Sequence, residues 1–148
     1  MTLSAKNAKA LLFDLNQDIE EYAADTVENI IELKNFDGLT FPPNGGLTSS
    51  EKAELSKLEN NEDLKNALRK ILADNTAGVI FNMLNLFDGT ASPKHYYDAW
   101  TGVRLIDEEP SAESETFDDT LHDGLYEVYW EWRHARKSSS WKLDLLDD

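Results

Sequence analysis

The fold is decided by residues 60–89, NNEDLKNALRKILADNTAGVIFNMLNLFDG. Apolar residues recur there at helical spacing over the longest such stretch of the chain, and in its second half they also cover further faces. The main apolar face consists of Leu64, Leu68, Ile71, Leu72, Val79, Met83 and Leu86. Because a helix that is apolar nearly all round is buried, we predict a central helix that begins at Asn60 or Asn61 and ends at Gly89.

Polar and small residues inside this helix give two further expectations. Asn75 and Asn82 fall on the same face as the leucines, where a buried amide needs a hydrogen-bond partner or lines a ligand pocket. Gly78, in the middle of the helix, costs about 1 kcal/mol relative to alanine. We therefore expect both asparagines to lie in the core and another helix to approach closely at Gly78.

The composition is that of a folded, strongly acidic domain. The 148 residues are enough for one domain, placed at 1–148, and an apolar fraction of 41% with 10% aromatic residues is too high for a disordered chain. Fourteen Lys and Arg stand against 29 Asp and Glu, a formal net charge of −15. This balance argues against nucleic acid or an anionic membrane as the partner and favours a basic protein.

Cysteine content and hydropathy bear on the compartment. The chain has no cysteine, so neither disulfides nor thiolate metal sites are expected. The apolar run before Asp14 is short, and no other apolar stretch approaches the roughly 18 residues that span a bilayer. We expect a soluble cytoplasmic protein without a cofactor.

The first helix is predicted over residues 4–34, which contain neither Gly nor Pro. Its expected apolar stripe is Leu12, Leu15, Ile19, Tyr22, Thr26, Ile30 and Leu33. On the opposite side, at 100° per residue, a row of carboxylates falls within roughly 40° of one direction. This acidic ridge consists of Asp14, Asp18, Glu21, Asp25, Glu28 and Glu32. No lysine lies among them, so the ridge is either a solvated face or a docking surface for a basic partner.

Shorter elements complete the helical pattern. Residues 35–47 are rich in Gly and Pro and predict a loop. Thr48 and Glu51 then form a capping box that opens a short helix to about Glu59. The last long helix is predicted over residues 118–137.

Residues 90–116 predict an irregular segment, with one short strand or extended stretch at 101–106. Residues 107–119 carry seven carboxylates and no basic residue, which is typical of an acidic loop. Residues 138–148 are expected to fold back as a docked tail. The predicted fold class is therefore all-α or predominantly α, a single-domain bundle of about four helices around the buried central helix.

The last helix also carries an aromatic face, formed by His122, Tyr126, Tyr129, Trp130 and Arg133. Aromatic residues together with Arg are enriched at interface hot spots. The face either binds a partner, chiefly through Tyr126 and Trp130, or packs under the irregular segment or the tail. A homodimer through this face is a further alternative.

Little in the sequence points to catalysis. Glu131 and His134 have the Glu-x-x-His spacing of a di-iron bundle, but the second copy of that motif is missing. Acidic pairs at residues 18–21 and 28–32 loosely resemble the Mg²⁺-binding motifs of all-α nucleotide pyrophosphohydrolases, although they face away from the apolar stripe. No nucleophile elbow or phosphate-binding glycine loop is present.

Three segments carry a resemblance to known proteins: LNLFDGTASP at residues 84–93, WTGVRL at 100–105 and LHDGLYEVYWEW at 121–132. They resemble small acidic immunity proteins that accompany bacterial polymorphic toxins. The resemblance implies a cytoplasmic inhibitor that binds a toxin domain. Many such toxins are basic nucleases, and a row of carboxylates would occupy the channel meant for phosphates.

The leading hypothesis is thus a non-enzymatic protein-binding domain that neutralises a basic toxin. Its expected binding groups are the acidic ridge, the acidic loop at 107–119, Tyr126 and Trp130. No catalytic, metal-binding or cofactor-binding residue is assigned. The alternatives are an all-α, Mg²⁺-dependent nucleotide pyrophosphohydrolase and a homo-oligomeric structural protein.

Overall fold

The computed structural model describes residues 2–137 and residue 143, and it is helical. The α-helices are α1 (Ala5–Val27), α2 (Ser49–Ser56), α3 (Glu62–Asp88) and α4 (Leu121–Ala135). A π-helical turn, Glu28–Glu32, continues α1, and a 3₁₀ turn, Tyr97–Ala99, lies between α3 and α4. The predicted all-α bundle of about four helices is confirmed.

Residues 101–106, predicted to form a short strand or an extended stretch, form neither a helix nor a strand. Within residues 2–137 the only β-type pairing is an isolated antiparallel bridge between Ser4 and Thr116. The predicted docked tail falls almost wholly on 138–142 and 144–148, outside the described residues.

The helix ends follow from local chemistry, as the sequence indicated. Thr48 caps α2 through the capping box: its Oγ1 accepts from the N–H of Glu51 at 3.2 Å, and its own N–H donates to the Glu51 carboxylate at 2.7 Å. Asn61 starts α3, because its Oδ1 accepts from the N–H of Leu64 at 3.0 Å. Gly89, at φ +73°, ends α3 in a conformation that favours glycine.

The chain divides into two compact units. The first unit comprises, among the described residues, 2–19 and 75–137, and the second comprises 20–74 and 143. Helices α1 and α3 each contribute residues to both. The assignment of one domain to residues 1–148 stays a prediction.

The core of the first unit forms where α1, α3 and α4 pack. Its buried apolar side chains are Ala8, Leu12, Ile19, Leu84, Leu121, Leu125 and Trp132. The ring of Phe13 meets Trp132 edge-on, with centroids 5.6 Å apart. Helix α4 approaches α1 closely at Gly124, where an added Cβ would lie 2.7 Å from Leu12 Cδ1.

The core of the second unit is smaller and contains a buried charge. Its buried apolar side chains are Ala23, Val27, Ile31 and Ala73. Lys65 is only 6% exposed, and its ammonium pairs with the carboxylates of Glu32, at 2.7 Å, and Glu62. A buried ammonium requires such partners, so this triad belongs to the packing of the unit.

The buried face of α1 differs from the predicted stripe. Tyr22 is 70% exposed and Leu33 is 62% exposed. The residues that are buried instead, along α1 and its π-helical extension, are Ala8, Leu12, Asn16, Ile19, Glu20, Ala23, Val27 and Ile31. Leu12 and Ile19 belong to both the predicted and the observed stripe. The observed stripe is rotated around the helix so that it includes the small residues Ala8 and Ala23, which permit closer helix contact.

Helix α3 is less buried than its apolar pattern predicts. Ile71, Val79 and Met83 are exposed at 63%, 66% and 40%. Asn75 and Asn82 are exposed as well, so the expectation of core amides was wrong. The close approach expected at Gly78 is also wrong, because no neighbour among the described residues lies within 4 Å of a Cβ added there. The glycine that admits a neighbouring helix is Gly124.

Candidate protein-binding surface

In the second unit the carboxylates of the acidic ridge differ in their exposure to solvent. Asp25 and Glu28 are exposed, whereas Glu21 is partly buried. Neither the Asp25 nor the Glu28 carboxylate has an ion pair within the described part of the chain. These two side chains are therefore the ridge groups of this unit that remain available to a partner.

Glu32, unlike Asp25 and Glu28, is paired with a lysine. Its carboxylate lies 2.7 Å from Nζ of the buried Lys65, and hydrogen bonds to Glu32 and then Glu62 raise the pKa of Lys65 above its ordinary value. This partner could not be predicted from the pattern of the first helix, since Lys65 lies on α3. Glu32 thus has a structural partner, and its inclusion among the partner-binding residues stays a prediction.

The π-helical turn Glu28–Glu32 helps to explain why Glu32 departs from the predicted ridge. The N–H of Leu33 donates to the Glu28 carbonyl oxygen at 3.0 Å, five residues earlier, instead of following the α-helical pattern. A π-helical turn holds more residues than an α-helical one, so side chains beyond it leave the register of the preceding helix. The sequence-based ridge assumed a regular α-helix up to Glu32.

In the first unit, Asp14 and Asp18 hold the N-terminal part of the ridge. Both are exposed, and no ion pair is found for either among the described residues. The nearby Lys9 bonds elsewhere, with its Nζ 2.7 Å from the Glu131 carboxylate. The predicted exposure of this part of the ridge is thus observed, while its role in binding stays a prediction.

An apolar cavity of about 360 Å³ lies in the second unit beside the ridge. Its apolar lining consists of Ile30, Phe36, Leu39, Leu47 and Leu55. Asn29 also lines it and donates its Nδ2 to the Asp25 carbonyl oxygen at 2.9 Å. The cavity volume is within the range of ligand-binding pockets, about 300–1,000 Å³.

This cavity was not predicted from the sequence, which indicated only a loop at residues 35–47. In that loop Phe36 lines the cavity, whereas Phe41 is 87% exposed. A usable signal was present, because the loop contains four large apolar residues, and three of them, Phe36, Leu39 and Leu47, line the cavity. Only the tertiary structure brings them opposite Ile30 and Leu55.

Other carboxylates near the loop and α2 already have partners. Asp37 pairs with Lys52 at 2.6 Å, and Glu54 pairs with Lys57 at 2.5 Å. Glu51 takes part in the α2 cap, and the hydrogen bonds it accepts from Thr48 lower the pKa of its carboxyl group. These three carboxylates therefore differ from those of Asp25 and Glu28, which have no ion pair among the described residues.

The aromatic face of α4 is half exposed in the first unit. Tyr126 and Trp130 are each 56% exposed. The Tyr126 ring lies 5.7 Å from that of Phe81 and the Trp130 ring 5.3 Å from that of Tyr129, while the Arg133 guanidinium carbon lies 6.0 Å from the Trp130 centroid. Each exposed ring is thus held by neighbours and still presents surface to solvent.

The acidic loop at 107–119 is attached to the chain near its N-terminus. Asp107 is 6% exposed and accepts from the N–H of Ser4 at 3.0 Å. Hydrogen bonds from the Ser4 backbone, the Ser4 side chain and Asn7 lower the pKa of this carboxyl group. The Phe117 N–H also donates to the Leu3 carbonyl oxygen at 3.0 Å. Asp107 therefore has a structural role, which corrects its inclusion in a binding loop.

The two residues considered for a metal site, Glu131 and His134, each contact a different group. Glu131 pairs with Lys9, and His134 Nδ1 lies 2.5 Å from the Trp130 carbonyl oxygen. Across residues 2–137 and 143, no group of three His, Asp or Glu side chains is arranged to hold a metal ion. Over the same residues, no helix combines the length and the apolar character needed to cross a membrane.

Comparisons with protein-family models, with curated proteins and with solved structures found no match to this chain. The resemblance to immunity proteins accordingly stays a prediction.

Proposed function

We propose that this chain is a non-enzymatic protein-binding domain that inhibits a basic partner, a bacterial toxin domain. The observation that carries the proposal is that the second unit holds both an apolar cavity and the exposed carboxylates of Asp25 and Glu28, which have no ion pair among the described residues. Apolar anchors in pockets provide most of the binding energy at protein interfaces, and charges around them provide orientation and rate.

In this proposal the partner inserts one apolar side chain into the cavity. Lysine or arginine residues that flank this side chain meet Asp25 and Glu28. The exposed Asp14 and Asp18, together with the net charge of −15, attract a basic protein over longer distances. The association rate should therefore fall as ionic strength rises, because salt screens such long-range attraction.

The test uses the tagged chain as bait in a lysate of the producing cells at low salt. One stoichiometric basic protein, released by a salt step and identified by mass spectrometry, is expected. Asp25→Lys with Glu28→Lys should abolish its capture. The matched control is Glu59→Lys with Asp74→Lys, which makes the same charge change at exposed positions of the same unit and should keep the capture.

A second variant addresses the cavity. Leu39, 49% exposed at the cavity wall, can be replaced by Asp with little effect on the core. Leu39→Asp should weaken the complex with the captured protein, measured by calorimetry, and the purified chain should inhibit the toxic activity of that protein. Equal capture by the Asp25/Glu28 variant and its control would contradict the proposal.

The alternative of an Mg²⁺-dependent nucleotide pyrophosphohydrolase has less support. It requires the acidic pairs of the first helix to hold a cation, and the Glu32 carboxylate is bonded to Lys65. That hypothesis predicts thermal stabilisation by Mg²⁺ that Glu21→Gln or Glu28→Gln removes. A melting temperature unchanged by Mg²⁺ or Mn²⁺ would count against it.

A further inference from the structure

A second cavity, of about 710 Å³, lies in the first unit between the end of α3 and the irregular segment that follows. Its walls include Asp88 and Gly89 at the end of α3, and Trp100, Thr101 and Arg104 farther along. Its volume is within the range of sites that bind small molecules. This cavity is separate from the surface used in the proposed function and does not depend on it.

The carboxylate in this wall, that of Asp88, already accepts hydrogen bonds from the protein. Asp88 Oδ1 accepts from the N–H of Leu121 at 3.0 Å, and Oδ2 accepts from the N–H of His122 at 3.0 Å and lies 2.6 Å from His122 Nδ1. Its side chain is only 9% exposed. The negative charge is thus directed to the N-terminus of α4, whose dipole and N–H groups stabilise it.

Arg104, by contrast, has no partner within the described residues. Its side chain is exposed, and no ion pair or hydrogen bond of its guanidinium occurs there, although the chain holds 29 acidic residues against 14 basic ones. A guanidinium group offers five N–H donors in a planar fork that fits carboxylate or phosphate. Arg104 is therefore the available charge of this cavity, and it is positive.

Neutral groups beside Arg104 extend the recognition surface. The indole of Trp100 is partly buried in the same wall, and the hydroxyl groups of Ser92 and Thr101 lie around the cavity. The backbone N–H groups of residues 101–104 have no acceptor among the described residues. Planar rings stack on indoles, and free N–H groups donate hydrogen bonds to anionic oxygen atoms.

We infer that this cavity binds a small organic anion that carries a planar ring. Arg104 binds the anionic group, and Trp100 stacks on the ring. A nucleoside monophosphate and an aromatic carboxylate share this chemistry. Both fit the available volume, whereas inorganic phosphate would use only half of the site.

The test is isothermal titration of the full chain with four probes: adenosine monophosphate, benzoate, adenosine and inorganic phosphate. At least one of the first two should bind saturably at one site, roughly tenfold or more tighter than adenosine or inorganic phosphate. Which of the two binds distinguishes a phosphate from a carboxylate as the anionic group. In NMR spectra, the Trp100 indole N–H signal, assigned with Trp100→Phe, should shift on binding.

Arg104→Gln should weaken this binding by roughly tenfold or more, because it removes the charge and the donor fork. Lys94→Gln is the matched control, since Lys94 is an exposed basic residue of the same segment that does not line the cavity, and it should bind as the wild type does. Far-ultraviolet circular dichroism checks that both variants are folded. Binding of none of the four probes, adenosine alone binding as tightly as the anions, or equal affinity of Arg104→Gln and wild type would overturn the inference.

Discussion

The side-chain Nδ2 of Asn16 lies 2.9 Å from the carbonyl oxygen of Leu125, so that a buried amide of α1 bonds directly to the backbone of α4. The same Nδ2 lies 2.9 Å from the Leu12 carbonyl oxygen, one turn earlier on α1. Asn16 is only 5% exposed. A buried amide that bridges two helices in this way fixes their relative register, because no other alignment satisfies it.

Replacing Asn16 by Leu should destabilise the protein. The variant keeps the branched shape and the number of side-chain heavy atoms but removes the hydrogen bond to α4, and buried hydrogen bonds of this kind contribute about 1 kcal/mol, with a larger loss if a polar group is left unsatisfied. The free energy of unfolding in urea measures the effect. Asn82→Leu, at an exposed position of α3, serves as control and should change it by less than about 0.5 kcal/mol.

Two glycine-to-alanine variants should have opposite effects. At Gly124 the new Cβ would lie 2.7 Å from Cδ1 of the fully buried Leu12, and such overpacking costs about 1–3 kcal/mol. At Gly78 nothing lies within 4 Å, so alanine should stabilise α3 by about 0.5–1 kcal/mol. Thermal unfolding of both variants checks this. A destabilised Gly78→Ala would mean that another helix contacts α3 there.

The stability of the protein should depend on the Asp107 carboxylate at acid pH. Hydrogen bonds from Ser4 and Asn7 hold the pKa of Asp107 below its ordinary value in the folded state. The carboxylate therefore stabilises the fold above the unfolded-state pKa, about 4, and this contribution is lost as the pH falls through the lower folded-state pKa. Asp107→Asn should lower the free energy of unfolding at neutral pH, and the difference from wild type should shrink below about pH 4.

A control at the exposed Glu109 separates this effect from general charge removal. Glu109→Gln should leave the pH dependence of the unfolding free energy like that of wild type. If the free energies of unfolding of Asp107→Asn and wild type differ by the same amount at every pH, the lowered pKa of Asp107 does not account for the stabilisation.

The exposed indole of Trp130 should contribute to partner binding rather than to folding. It is 56% exposed and held by Tyr129 and Arg133. If the aromatic face is part of the interface, Trp130→Ala should weaken the complex with the captured partner by about 2 kcal/mol and change the melting temperature little. Sedimentation of the wild type alone tests the homodimer alternative. A dimer that Trp130→Ala converts to monomers would assign this face to self-association.

Local sequence signals were sufficient for the helices. Thr48 with Glu51, Asn61 and Gly89 mark helix ends through hydrogen bonds and backbone conformations that involve only nearby residues. The exposure of Asp14, Asp18, Asp25 and Glu28 was also predictable, since a row of like charges cannot be buried without partners.

The choice of buried face could not be made from one helix at a time. Helix α1 offers two overlapping apolar stripes, both containing Leu12 and Ile19, and helical periodicity fixes only the angles between side chains. The partner helices decided between them, because the stripe with the small Ala8 allows closer contact. For the same reason Tyr22 became exposed although its hydrophobicity favoured burial.

By itself, the sequence determined that the protein is helical, where α2 and α3 begin, where α3 ends, and that its surface is acidic, because caps, glycines and net charge act locally or through composition. Only the tertiary structure decided that Glu32 pairs with Lys65, that Gly124 admits Leu12, and that Arg104 faces a cavity without a carboxylate partner. These relationships join residues far apart in the chain. They depend on distances that arise only when the helices and loops pack, which no local pattern specifies.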